Sequence, residues 1–140
     1  MSEICIRGAE TCGKGVSALT VGRERLRREF DGFLPTRGGN IPLLDMKGTY
    51  QAELYALVWG VSLMRESDYP VTVRTSSLAV SAWIRDRDCP EEYMDLFSLF
   101  LQKTKGKEVT AQLTDIGSKR MCGVRDLILD SETWRVRFST

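Results

Sequence analysis

The segment GTYQAELYALVWG, residues 48–60, sets one carboxylate, Glu53, into a stretch that is apolar on nearly every side. A helix apolar all round is normally buried, and a buried carboxylate without a partner costs several kcal/mol. Either Glu53 lies at the polar edge of that helix, or a positive group waits for it. The chain contains no histidine. That removes the imidazole base, the Ser-His-Asp and Cys-His nucleophile systems and the histidine metal ligand. Any catalysis would have to run on carboxylates that hold an oxygen-seeking cation such as Mg²⁺.

A second chemistry is written in the basic stretches GRERLRREF, KTKGK, SKR and WRVRF. Arg25, Arg27, Arg28, Lys103, Lys105, Lys107, Lys119 and Arg120 could line a phosphate-binding surface, with Trp83 and Trp134 as stacking platforms. The formal net charge of the 140-residue chain is only +1, so steering toward nucleic acid would have to come from such local patches. A solvated strand face and a lysine-rich helix C-terminus account for the same residues equally well.

The elements that would position these groups follow from periodicity. Apolar residues make up 42% and charged residues 28%, as in ordinary globular proteins, and the length suits one domain over 1–140. ICI (4–6) reads as a strand that ends in the glycine-rich turn RGAETCGKG. Residues 15–22 read as a second strand and 23–33 as a third, with Gly22 as the turn between them, followed by a loop over 34–48. TYQAELYALVWGVSLM (49–64) is helical by the spacing of Leu54, Leu57, Val58 and Val61, with Thr49 as N-cap. A strand over 69–77, a short helix over 78–86 and a helix over 89–107 follow. Pro90 sits at the first position of the latter, and Tyr93, Phe97 and Phe100 are in the core. A strand over 108–115, a helix over 118–130 and a strand or tail over 133–138 complete the chain. This order predicts a five-stranded mixed α/β sheet, three antiparallel strands and then alternating helix and strand, with helices on both faces. The four cysteines lack zinc spacing and read as reduced thiols of a cytoplasmic protein. No stretch is long enough for a membrane span or shaped like a signal peptide.

Two segments give this order a sharper meaning. TYQAELYAL (49–57) resembles the first-helix signature of the ribonuclease H-like superfamily, and VTVRTSSLAVSAWI (71–84) resembles that superfamily's fourth strand and following helix. The likeness runs from Ile4 to about Asp130. It implies two-metal hydrolysis of the RNA strand of an RNA–DNA hybrid, with four carboxylates on Mg²⁺ or Mn²⁺. Carried over residue by residue, the helix glutamate falls on Glu53, the aspartate of the fourth strand on Ser76, the first-strand aspartate on Arg7 and the last aspartate, more loosely, on Asp126. Ser76 offers a neutral hydroxyl. Arg7 sets a fixed positive charge where the cation should be, a repulsion of roughly 4 kcal/mol at 4 Å and an effective dielectric near 20.

The resemblance therefore implies a ribonuclease H-like domain with a vestigial site (Arg7, Glu53, Ser76 and Asp126), no catalysis and no cofactor. In such a site Arg7, with Arg74 as a second candidate, replaces the metal as the counter-charge of Glu53. Degenerate copies of this fold serve as docking modules in viral and mobile-element proteins. The expected role is binding of duplex or hybrid nucleic acid, or of a protein. A first alternative is an active nuclease with a shifted carboxylate set drawn from Glu10, Asp45, Glu53, Asp115 and Asp126, with Glu53, Asp115 and Asp126 as the metal ligands. A second is a protein–protein factor marked by an exposed apolar patch or a self-complementary sheet edge. Asp115 also reads as a turn residue and Ser76 as the N-cap of the helix at 78–86.

Overall fold

The computed structural model describes the backbone of residues 2–11, 14–27, 30–44, 48–118 and 121, and the side chains of 2–9, 48–118 and 121. Five strands, β1 (Ser2–Thr11), β2 (Lys14–Arg27), β3 (Phe30–Leu44), β4 (Val71–Thr75) and β5 (Val109–Leu113), form one sheet in the order β3-β2-β1-β4-β5. The β1–β2 and β2–β3 pairs are antiparallel, and the β1–β4 and β4–β5 pairs are parallel. Helix α1 (Thr49–Ser62) joins β3 to β4, while α2 (Leu78–Asp86) and α3 (Met94–Lys103) lie between β4 and β5. Single 3₁₀ turns at Glu66–Asp68 and Glu91–Tyr93 precede β4 and α3.

The first three strands are longer than their composition suggests. β1 runs through RGAET to Thr11, because each of its residues from Glu3 onward finds a partner on β2, ending with Thr11 opposite Lys14. Gly22 is no turn. It lies inside β2 at a register shift between Val21 and Gly22, a bulge that leaves one extra residue on β3. The segment read as a loop, 34–48, is for the most part β3. Its Pro35 and Pro42 are tolerated because β3 ends the sheet order, where a missing N–H need not break a second ladder.

The helices lie close to their expected places, with shifted ends. Gly48, not Thr49, is the N-cap of α1, at φ 101°, a left-handed value that suits glycine. Ser77, not Ser76, caps α2, its hydroxyl accepting the Val80 N–H at 3.2 Å. Pro90 precedes the 3₁₀ turn before α3, which ends at Lys103 rather than 107. The helix read over 118–130 and the strand over 133–138 lie outside the described residues, apart from the turn at 118 and 121.

One core joins these parts. Ile4 and Ile6 of β1, Leu54, Leu57 and Val61 of α1, Val71 and Val73 of β4, Val80 and Ile84 of α2, and Phe97 and Phe100 of α3 form a single buried cluster. α1, α2 and α3 therefore share one face of the sheet. Tyr93 is only half-buried, at the edge of this cluster.

The tightest point is Gly8. A Cβ there would collide with the Glu53 backbone nitrogen and lie 2.7 Å from the Ala52 carbonyl carbon. Farther along, a Cβ on Gly60 would lie 2.9 Å from Ile4 Cγ2. α1 thus runs antiparallel to β1, its N-terminal turn pressed on Gly8 and its last turns on Ile4. Because the obstacle at Gly8 is helix backbone, Gly8→Ala is expected to destabilise the fold by roughly 1–3 kcal/mol or more. Urea unfolding measures this, and an unchanged midpoint would contradict the close approach.

Candidate functional site

The contact at Gly8 delivers Glu53 to the C-terminal ends of β1 and β4, the end at which α2 also begins. Glu53 is 4% exposed. Its partner is Thr75, the last residue of β4, whose hydroxyl donates a short hydrogen bond to Glu53 Oε1. The same hydroxyl accepts the Ser77 N–H at 3.0 Å, and the Thr75 carbonyl accepts the Thr114 N–H at 2.8 Å. Two neighbouring backbone amides thus hold Thr75 in place. Alternation along β4, with Val71, Val73 and Thr75 buried, aims its hydroxyl at the helix layer.

The expected pairing of Glu53 with arginine takes a different form. Among the described residues the ion pairs are Arg74–Glu3, Arg85–Asp86 and Lys107–Glu66, and none joins Arg7 to Glu53. Alternation explains this: Gly8 faces α1, so Arg7, one residue earlier, leaves the strand on the other side of the pleat. Arg74 turns away too. Its Nε donates to Glu3 Oε1 at 2.6 Å and its Nη1 to Thr114 Oγ1 at 3.2 Å, on the sheet face opposite the helices.

Burial dominates the electrostatics of Glu53. Desolvation raises its carboxyl pKa from 4.5 to about 7, against the opposing pulls of the Thr75 hydrogen bond and the charge of Arg7. Glu53 is therefore an acid that changes charge near neutrality.

The remaining site candidates are dispersed. Ser76 is exposed. Asp115 is exposed and closes a turn, its Oδ1 accepting the Gly117 N–H at 2.9 Å and its carbonyl the Ser118 N–H at 2.9 Å. Asp126, Asp45, Arg28, Lys119 and Arg120 lie outside the described residues, as do the side chains of Glu10, Arg25 and Arg27, which sit on β1 and β2. Among the described residues no three acids or thiols converge where they could hold a metal ion. The described part of the site supplies one carboxyl with a hydroxyl hydrogen on Oε1, in the field of an arginine. That donor set does not fit a divalent cation, and no chemical step through one follows from it.

The basic stretch KTKGK lies at the other end of the sheet. Lys107 comes just before β5, whose first residue, Val109, is aligned with Val71 at the start of β4, whereas Thr75 aligns with Leu113 at the far end. Lys107 is engaged, its Nζ 2.9 Å from Glu66 Oε1 and 5.3 Å from the Tyr69 ring centre. Lys103 and Lys105 are exposed. Trp83 packs within a ring cluster, its centre 5.3 Å from Tyr50 and 5.4 Å from Tyr93. Trp134 is outside the described residues.

Thr75 is the partner of Glu53 that the sequence left unmarked. Period-2 alternation after Val71 and Val73 is the signal that could have found it.

The raised pKa has a consequence for stability. Glu53 binds its proton more tightly folded than unfolded, so its contribution is fully present below about pH 4.5 and is lost as pH rises to about 7. That loss is on the order of 3 kcal/mol, and it is expected to be absent from Glu53→Gln. Urea unfolding of both proteins at pH 4.5 and pH 8 measures the difference. Thr75→Val, which removes the donor to the carboxylate, should deepen the loss, and parallel pH profiles for wild type and Glu53→Gln would contradict it.

No protein-family model matches the sequence, and no curated protein matches it. Solved structures do. Ribonuclease H1 from the halophilic archaeon Halobacterium salinarum NRC-1 superposes with a TM-score of 0.67 at 14% identity, covering 93% of this chain and 98% of that one. The N-terminal ribonuclease H domain of a Mycobacterium tuberculosis protein, solved as a fusion with maltose-binding protein, gives 0.67 at 11% identity, covering 91% and 97%. The protease-reverse transcriptase of prototype foamy virus gives 0.59 at 13% identity, covering 92% of this chain and 20% of that one. The sheet order, the helix layer and these superpositions agree: the chain has a ribonuclease H-like fold.

Proposed function

We propose that this protein is a catalytically silent ribonuclease H-like domain that binds duplex or RNA–DNA hybrid nucleic acid. The observation that carries the first half is the placement of Glu53: buried and bonded to the Thr75 hydroxyl, with no metal-sized cluster of acids or thiols around it among the described residues. A carboxyl used this way is a folding element rather than a metal ligand. The serine and arginine at two further positions of the superfamily's carboxylate set point the same way.

The binding half rests on the fold, whose similar structures include two named ribonucleases H, and on where the basic residues fall. Arg25 and Arg27 belong to the long β2–β3 hairpin, while Lys107 is engaged by Glu66 and Tyr69. The hairpin arginines, with Arg28, Lys119 and Arg120, are the proposed phosphate contacts. Lys103 and Lys105 serve solubility at the end of the sheet remote from Glu53. No helix of the described residues is long and apolar enough to cross a membrane.

Two measurements test this reading. In calorimetry the wild type should show no Mg²⁺ or Mn²⁺ binding and should leave a labelled hybrid uncut. Metal binding or cleavage by the wild type would bring forward the shifted carboxylate set that includes Asp126. Hybrid affinity should fall with salt, and Arg25→Ser with Arg27→Ser should flatten the log–log slope by about 0.9 for each phosphate no longer neutralised. Lys103→Ser with Lys105→Ser should leave it unchanged. If no hybrid or duplex binds at any salt concentration, the nucleic-acid reading fails and a protein partner replaces it.

A further inference from the structure

We propose that β5 is a pairing edge through which two copies of this chain join antiparallel, strand to strand, about a two-fold axis at Ala111.

β5 ends the sheet order on the side of β4, and among the described residues no strand covers its outer side. Edges of this kind are normally blunted by lysine, proline or a bulge. β5 reads VTAQL, with no charge, no proline and an unbroken register against β4 from Val71↔Val109 to Thr75↔Leu113. Thr110, Gln112 and Leu113 are exposed. The edge is thus an uncharged, regular row of backbone donors and acceptors.

Apolar surface gathers beside it. Among the described residues Leu78 and Leu113 are the two most exposed large hydrophobic side chains, at 72% and 54%. They lie together: Leu113 is aligned with Thr75, and Leu78 opens α2 three residues later, in a helix packed against β5. Both belong to the helix-bearing face, on which Val109 and Ala111 are half-buried.

The occupant follows from the strand's own symmetry. With Ala111 opposite its copy, Val109 faces Leu113 of the second copy and Thr110 faces Gln112. Apolar residues therefore meet apolar ones on the helix face, and polar meet polar on the other. One step beyond the strand, Glu108 meets the neutral Thr114. A further step sets Lys107 opposite Asp115, twice over by symmetry. Lys107 has three donors and uses one on Glu66, and the exposed Asp115 has acceptor capacity left. No like charges face one another, and the two sheets become one continuous sheet. A second copy thus satisfies an edge that no strand of the described residues protects. The pairing does not depend on nucleic-acid binding.

Sedimentation velocity across a concentration series up to about 1 mM tests it. The wild-type mass should rise from 15.8 kDa toward twice that value as concentration increases. Thr110→Lys with Gln112→Lys sets like charges across the pair and should hold the chain as a monomer, as should Thr110→Glu with Gln112→Glu. Mixing the two variants should restore the dimer, because opposite charges then face one another, and this rescue shows that both variants are folded. A wild type that stays monomeric throughout, a dimer that survives both double variants, or a mixture that stays monomeric overturns the proposal.

Discussion

The structure depends on the close approach of α1 to β1 at Gly8. With no Cβ in the way, the backbone of Ala52 and Glu53 rests directly on the strand. That one contact sets the height of α1 above the sheet, and the core from Ile4 to Phe100 fills the space it defines. It also commits Glu53 to burial, because a helix this close packs its first full turn directly on the ends of β1 and β4. Packing therefore comes first, and the electrostatics of Glu53 are its consequence.

Among the described residues, few groups answer the buried carboxyl. An arginine in direct contact would have kept Glu53 ionised. Instead Thr75, itself fixed by the Ser77 and Thr114 amides, donates a single hydroxyl, and Arg7 acts only through its field. The result is an acid balanced near neutrality at the C-terminal ends of β1 and β4. Arg74 serves the opposite face, where it neutralises the buried Glu3. Two arginines of similar sequence context thus have unrelated tasks.

Local patterns were legible where they are local in origin. The spacing of Leu54, Leu57 and Val61 marks α1, and Glu53 stands out as the acid in that apolar run. The first three strands were legible only in part, because β2 and β3 are held by a long mutual ladder rather than by propensity; glycines and prolines that look like a loop are carried within it. The pairing of Glu53 with Arg7 takes a different form, a charge at a distance rather than an ion pair, for a related reason. Charge complementarity can be read from sequence, but Gly8 decides which side of β1 faces the helix, and that is a tertiary fact. Thr75 was hidden because a threonine in TSS looks like capping chemistry, which Ser77 performs.

The most direct test is a ¹³C NMR titration of the Glu53 side-chain carboxyl, with and without Mg²⁺. A carboxyl that serves packing should titrate with a midpoint near pH 7, unchanged by millimolar Mg²⁺. A midpoint in the ordinary glutamate range, about 4.3, would contradict a carboxyl governed by burial, and a midpoint that Mg²⁺ drives downward would show a metal ligand and contradict a silent site.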